Sequence, residues 1–177
     1  MLPLRLLHGL ARHRRSCVAL ALAGVGLSLI GAAPFAPPIL IWNASASAPV
    51  GLYLRVGGEA GRDDYVLAHT PNAARDLAAR RGYLPANVPM VKRVAAATGD
   101  LVCAADRTIS INARIAAQRL RHDREHRALP WWSGCQRLTK DSVFLLMARV
   151  PDSFDGRYFG PVSRASIIGK LVPLWLE

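Results

Sequence analysis

The sequence predicts a mainly β (α+β) domain of short strands with small helices, preceded by one N-terminal transmembrane helix. Three observations predict it. No charged side chain occurs from Ser16 to Leu54, and an arginine cluster without an acid comes before that block. Beyond it, short apolar and β-branched runs recur between glycine, proline and aspartate turn signals. A length of 177 residues leaves room for one modest core plus an appendage, and no internal repeat is visible.

The tip, residues 1–15, carries Arg5, Arg12, Arg14 and Arg15 and should stay cytoplasmic by the positive-inside rule. Ser16–Ala33 is about 18 residues long, near the lower limit for crossing a ~30 Å hydrocarbon core. A spanning helix is expected from Cys17 to Ala33. The following "PFAPPILIW" is too rich in proline to extend it, and reads as an interfacial segment ending at Trp42. The chain thus divides into the tip, an anchor with interfacial segment (16–42), and an extracytoplasmic domain (43–177). A cleaved signal peptide is the competing reading, with its site near Gly31–Ala33. Pro34 argues against it, because the scissile bond would be a tertiary amide. Either way the bulk of the chain is exported.

Of the net charge of +11, the four tip arginines supply +4 and leave +7 on the exported part. Arg119, Arg121, Arg124 and Arg127 concentrate it. Such a surface suits anionic lipid headgroups or an acidic partner, and an extracytoplasmic location argues against nucleic acid. Cys17 lies in the anchor, whereas Cys103 and Cys135 lie where oxidation is permitted. A disulfide between them would add about 3–4 kcal/mol on the chain-entropy model; the alternative is two free buried thiols.

Along the exported part, "DYVLAH" (Asp64–His69) reads as a strand. "TPNAARDLAARRGYLP" reads as a helix of two to three turns, with Pro71 near its start and Gly82 and Pro85 at its end. Met90–Ala95 is strand-like, turns at "TGD", and resumes at Leu101–Cys103. "RTISIN" is a further strand. Ala113–Arg127 is polar and helical in part, and "LPWWSGCQRL" is a loop with two exposed tryptophans. "DSVFLLMARV" is a core strand, "PDSFDGRYFGPV" a loop, and "IIGKLVPLW" the closing strand.

Lys92, in "PMVKRVAAATGD", admits two readings. It is an edge-strand lysine in water, or an inward lysine held neutral by burial and usable as a general base. Arg93 faces the opposite way in a strand, so one of the two points inward. A neutral lysine activates a serine hydroxyl without help from histidine or aspartate. His69, His122 and His126 sit in polar surroundings with no serine-elbow signature nearby, which disfavours a Ser-His-Asp triad.

Four segments together resemble the type I signal peptidases, and most of all their conjugative-transfer, TraF-type branch, which matures pilin precursors. They are N-x-S-x-S-x-P-x-G-x-Y at Asn43–Tyr53, "VKRVAAATGD" at Val91–Asp100, "TISIN", and "SFDGRYFGPV" followed by "IIGKLVPLW". "LPWWSGC" is also similar to a segment of that branch. The resemblance implies a signal-peptidase-like domain with Ser47 as nucleophile and Lys92 as general base. Ser45 and the Ser47 N–H would bind the oxyanion, Ser153 would orient Lys92, and Asp155 and Arg157 would support the site from behind. The bland alternative for that last pair is a surface salt bridge worth at most about 1 kcal/mol.

The resemblance further implies a single-pass protein of the inner (cytoplasmic) membrane with its catalytic domain in the periplasm. Its partners would be an exported precursor, membrane lipids, and components of a mating pore or secretion apparatus. No cofactor is called for. Ala48–Pro49 after Ser47, and "ARV" at Ala148–Val150, depart from the general signal peptidases, which disfavours a housekeeping secretory role. That role stays as an alternative, beside a non-catalytic tethered component of a secretion apparatus. Hydrolysis and cyclisation of the product are both open.

Two motifs point elsewhere. "HDREH" (His122–His126) matches H-x-x-E-H and on a helix would put two histidines on one face. A catalytic zinc needs a third protein ligand, Glu177 is the only glutamate downstream, and arginines crowd the segment; no metal site is expected. "NAS" at Asn43 fits a glycosylation sequon, which is without meaning in the bacterial setting that the resemblance implies. Trp131 and Trp132 read equally as interfacial aromatics or as a core pair.

Overall fold

The computed structural model describes residues 39–177. The basic tip and the helix expected over Cys17–Ala33 lie outside them. Among the described residues no helix is long and apolar enough to cross a membrane.

The order of elements is β1 (Leu40–Asn43), β2 (Gly51–Val56), β3 (Tyr65–Ala68), α1 (Asn72–Arg80), β4 (Met90–Ala96), β5 (Leu101–Ala105), β6 (Thr108–Ile111), β7 (Arg114–Gln118), β8 (Gly134–Arg137), β9 (Ser142–Leu145), α2 (Gly156–Phe159), β10 (Val162–Ser163) and β11 (Ile167–Leu176). The domain is mainly β, as expected. One sheet runs β1-β2-β11-β3-β4-β9-β10 and a smaller one β7-β6-β5-β8, with every pair antiparallel. The larger sheet holds the site.

β4 runs between β3 and β9, so it cannot be an edge strand. Met90, Val91, Lys92, Val94 and Ala96 are all buried, and only Arg93 turns fully outward. The water-facing reading of Lys92 is therefore wrong. Val66, Ala68, Met90, Val94, Val143 and Leu145 form one apolar cluster on this sheet. Tyr53, Leu67, Val91 and Leu171 form another, which also takes in Ala48 and Met147 from loops. The smaller sheet lays Val102, Ile109 and Ala117 against Phe144 and Leu146.

Three local expectations fail. Ala113–Arg127 is not helical. Asn112 and Ala113 have φ of 50° and 64°, and two successive positive φ angles make the tight turn that returns a hairpin. β7 therefore pairs with β6. "LPWWSGCQRL" is not wholly loop, because Gly134–Arg137 adds to β5 as an edge strand, and the Cys103–Cys135 disulfide joins two directly paired residues there. "SFDGRYFGPV" contains α2, capped by the Asp155 carboxylate accepting from the Arg157 N–H. Gly156 lets α2 press onto β9: a methyl there would lie 2.6 Å from the Leu145 carbonyl oxygen.

The basic surface also needs correcting. Arg119 is fully buried, stacked over Trp131 and donating to the carbonyls of Asp106 and Trp132. Its charge is spent on carbonyl dipoles inside the fold. Trp132 packs edge-on to Phe144 and donates to the Gly156 carbonyl at 2.9 Å, so the two tryptophans have structural work within the domain.

A different apolar surface is exposed. Trp42 on β1 and Trp175 on β11 both pair with Leu52 on the strand between them, and their rings stack at 5.7 Å. Leu40, Leu174 and Leu176 are exposed on the same two strands.

Candidate active site

Asn43 closes β1 and pairs with Gly51, the first residue of β2, so the serines lie on a hairpin loop. Apolar and polar pegs fix that loop from inside. Asn43, 8% exposed, directs its amide at the carbonyls of Ser45 (3.0 Å), Ala48 (3.2 Å) and Pro49 (2.9 Å), and its carbonyl accepts from the Ser45 N–H. Ala48 is buried in the core. The Tyr53 hydroxyl donates to the Pro49 carbonyl at 2.7 Å, and burial, then the charge of Tyr65, pushes its pKa up to about 12. Gly51 is required for close approach, since a side chain there would run into the Trp175 carbonyl.

The loop leaves Ser47 half-buried, facing Lys92. The Lys92 amine lies 2.9 Å from Ser47 Oγ and 3.1 Å from Ser153 Oγ. The Ser45 hydroxyl donates to Ser47 Oγ at 3.0 Å, and the Ser47 N–H points at Ser45 Oγ at 3.3 Å. Four residues from three distant segments of the sequence thus form one continuous chain of hydrogen bonds. Burial lowers the Lys92 pKa to about 8. The Asp155 carboxylate opposes that shift and the Arg157 guanidinium adds to it. An amine with such a pKa is substantially neutral near pH 8 and has a lone pair for the Ser47 proton.

Asp155 and Arg157 are fully buried and paired at 2.9 Å, so the surface-bridge reading fails. Asp155 also accepts from the Met147 N–H at 3.0 Å. Arg157 donates to the carbonyls of Met147, Val150 and Pro151 at 2.7–2.9 Å. The loop leading to Ser153 is therefore wrapped around one guanidinium. A buried charge pair of this kind is costly to break, because removing either partner strands the other. The pair acts on Lys92 through charge and through Ser153.

Residues 13–175 match the family described as "Signal peptidase, peptidase S26". The chain belongs to this family. Two proteins named "Plasmid transfer protein TraF", both from Escherichia coli, place it in the TraF-type branch. One is 34% identical over 171 residues, covering 91% of this chain and 96% of that protein. The other is 34% identical over 161 residues, covering 85% and 90%. A crystal structure of a signal peptidase I from Enterococcus faecalis aligns with 20% identity and a TM-score of 0.38, over 65% of this chain and 98% of that one.

A cleft of about 770 Å³ runs past Ser45, Ser47 and Lys92. One wall is the segment Arg121–Leu129, which carries the His122–His126 motif and overlaps the stretch Ala113–Arg127 expected to be helical in part. It is a small hairpin: Leu129 N–H donates to the Arg121 carbonyl, and His122 bridges Ala128. Its hub is Asp123, which accepts from the Tyr83 hydroxyl, from Arg127 Nε at 2.6 Å, and from the N–H groups of Glu125 and Arg127. The helical spacing of His122 and His126 is lost, since His126 adopts φ 59° within the turn.

Asn43, Asp123 and Tyr83 are the positions to which sequence reading assigned no such role. Asn43 had a usable signal: a short side chain with both donor and acceptor, standing at the start of a small-residue loop, commonly ties down local backbone. Asp123 and Tyr83 are forty residues apart in the chain, and nothing local connects them.

Proposed function

We propose that this chain is a membrane-bound serine endopeptidase that cuts exported precursor proteins with Ser47 and Lys92. The observation that carries the reading is the buried Lys92 amine 2.9 Å from Ser47 Oγ at the edge of an open cleft, with its pKa lowered by burial to about 8. The neutral amine takes the Ser47 proton while Oγ attacks the scissile carbonyl. The new oxyanion draws on the Ser47 N–H and the Ser45 hydroxyl, which turn from each other to the substrate; one such donor is worth about 10²–10³ in rate. The protonated Lys92 gives its proton to the leaving amine. Water, deprotonated by Lys92, then resolves the acyl-enzyme.

The TraF relatives support a role in plasmid transfer, with a pilin-like precursor as the substrate. The exposed Trp42–Trp175 face supports a location against the periplasmic surface of the inner membrane. Leu40 and Trp42 lie within the uncharged run from Ser16 to Leu54, and tryptophan favours the membrane–water interface. Lipid headgroups and mating-pore components are the further partners of this reading.

Ser47→Ala and Lys92→Ala should each abolish processing of the precursor in membranes, with the secondary structure unchanged by circular dichroism. Processing at the wild-type rate in either variant sinks the dyad.

A further inference from the structure

The cleft is larger than a single side chain beside the cut bond requires. Its volume of about 770 Å³ falls in the range of pockets that enclose a whole drug-sized ligand, so one residue seated at Ser47 would fill only a corner. The remaining space has a distinct lining. Phe154, next in sequence to Ser153, stacks on Tyr158 at 5.7 Å and meets Tyr83 at 5.2 Å. Leu84 and Leu129 lie on the same cleft, and all five are cleft-lining residues. Phe154 and Leu129 are only partly buried, so apolar surface stays open to the cleft.

The wall that carries Leu129 is held at two points. Asp123 ties it to Tyr83, and Arg124 pairs with Asp152 immediately before Ser153. Buried Arg119 and the Tyr158 hydroxyl, which accepts from the Leu120 N–H at 3.1 Å, fix its base. The apolar surface is therefore presented by braced backbone rather than by a loose loop.

We propose that Phe154, Tyr83, Leu84 and Leu129 form a second recognition subsite, which takes one bulky apolar or aromatic side chain of the precursor at a fixed distance from the cut bond. This rests on the Ser47–Lys92 reading and deepens it. The occupant follows from continuity: the same cleft holds Ser47, so a peptide seated for cutting extends along it. A ring entering here meets the partly open Phe154 and Tyr83 rings and gains the edge-to-face contacts aromatic groups prefer. Charged side chains find the wall's cleft-lining arginines already paired, Arg124 with Asp152 and Arg127 with Asp123 and Glu125.

The test uses the full chain in detergent with alanine-rich fluorogenic peptides, each placing a single phenylalanine at a successive position on either side of the cut. One register should be cut with kcat/KM about tenfold or more above the others, the discrimination an apolar pocket can supply. Leu129→Ser and Phe154→Leu should each erase that preference. Nitrophenolate release from p-nitrophenyl acetate, which needs only the Ser47 end, should persist in both and reports that this end still works. Equal cutting of all registers, or a preference that survives both variants, overturns the subsite. An enzyme that turns over neither peptide nor ester overturns the Ser47–Lys92 reading, and the subsite with it.

Discussion

The Ser153 hydroxyl accepts a hydrogen bond from the Lys92 amine at 3.1 Å, in a place where both side chains are almost wholly excluded from water. A lysine has four rotatable side-chain bonds and is a poor general base unless its nitrogen is held in place. Here one hydroxyl does the holding, and that hydroxyl is itself placed by the loop wrapped around Arg157.

Ser153→Ala should therefore lower kcat while leaving KM nearly unchanged, because Ser153 touches Lys92 and not the substrate. A loss of about tenfold or more is expected, the scale on which misplacing a catalytic group acts. Steady-state kinetics on a peptide substrate reads the split. A rise in KM at constant kcat would show that Ser153 instead contacts substrate.

With Lys92 as the base of the proposed dyad, its pKa of about 8 sets the pH dependence. The base must be neutral, so kcat/KM should climb tenfold per pH unit below pH 8 and level off above it. Asp155 opposes the lowering of this pKa. In Asp155→Asn the opposing charge is gone, so the rising limb should move to lower pH even as the loss of the buried pair lowers stability. A limb that moves upward, or does not move, contradicts the electrostatic role given to Asp155.

The sequence carried the chemistry of the site further than its scaffolding. Ser47, Lys92 and Ser153 were legible because small-residue loop, apolar-strand lysine and "SFDGRYFGPV" are distinctive locally and resemble one family. The strands Tyr65–Ala68 and Met90–Ala96 were legible too, from β-branched and apolar runs. β7 was not: its alanines and flanking arginines carry no β signal, and the deciding feature is an Asn112–Ala113 turn at positive φ. Arg119 misled for a related reason. An arginine reads as surface charge from sequence, and only the backbone carbonyls of Asp106 and Trp132, brought in by folding, satisfy it inside.

Burying the Lys92 ammonium should also cost stability. Its folded pKa lies below its unfolded value of 10.5, so between pH 8 and 10.5 the unfolded chain binds the extra proton and stability rises with pH. Below pH 8 the full penalty applies. Lys92→Met removes it and should stabilise the protein near neutral pH, by on the order of 1–2 kcal/mol once the stranded Ser153 hydroxyl has taken back part of the gain. Thermal melts of wild type and variant at pH 7 and pH 10 test this: the gap should be large at pH 7 and nearly closed at pH 10. A variant less stable than wild type at pH 7 would show that the two hydroxyl contacts of Lys92 outweigh its desolvation.

The Trp42–Trp175 stack gives the membrane reading its own test. Both rings are more than half exposed, whereas Trp131 is committed to Arg119 and Trp132 to Gly156. In the full chain reconstituted in bilayers, bromine-labelled lipid should quench the emission of Trp42 and Trp175 and spare that of Trp131 and Trp132, which single-tryptophan variants separate. Trp175→Ser should slow cutting of a membrane-inserted precursor and leave cutting of a soluble peptide unchanged, because Trp175 lies on β11 and not among the residues lining the cleft. Quenching confined to Trp131 and Trp132 would turn the part of the domain that carries those two rings toward the lipid instead. Equal slowing of both substrates would instead tie Trp175 to the fold of β2, whose Leu52 it pairs with, and through Gly51 to the Ser47 loop.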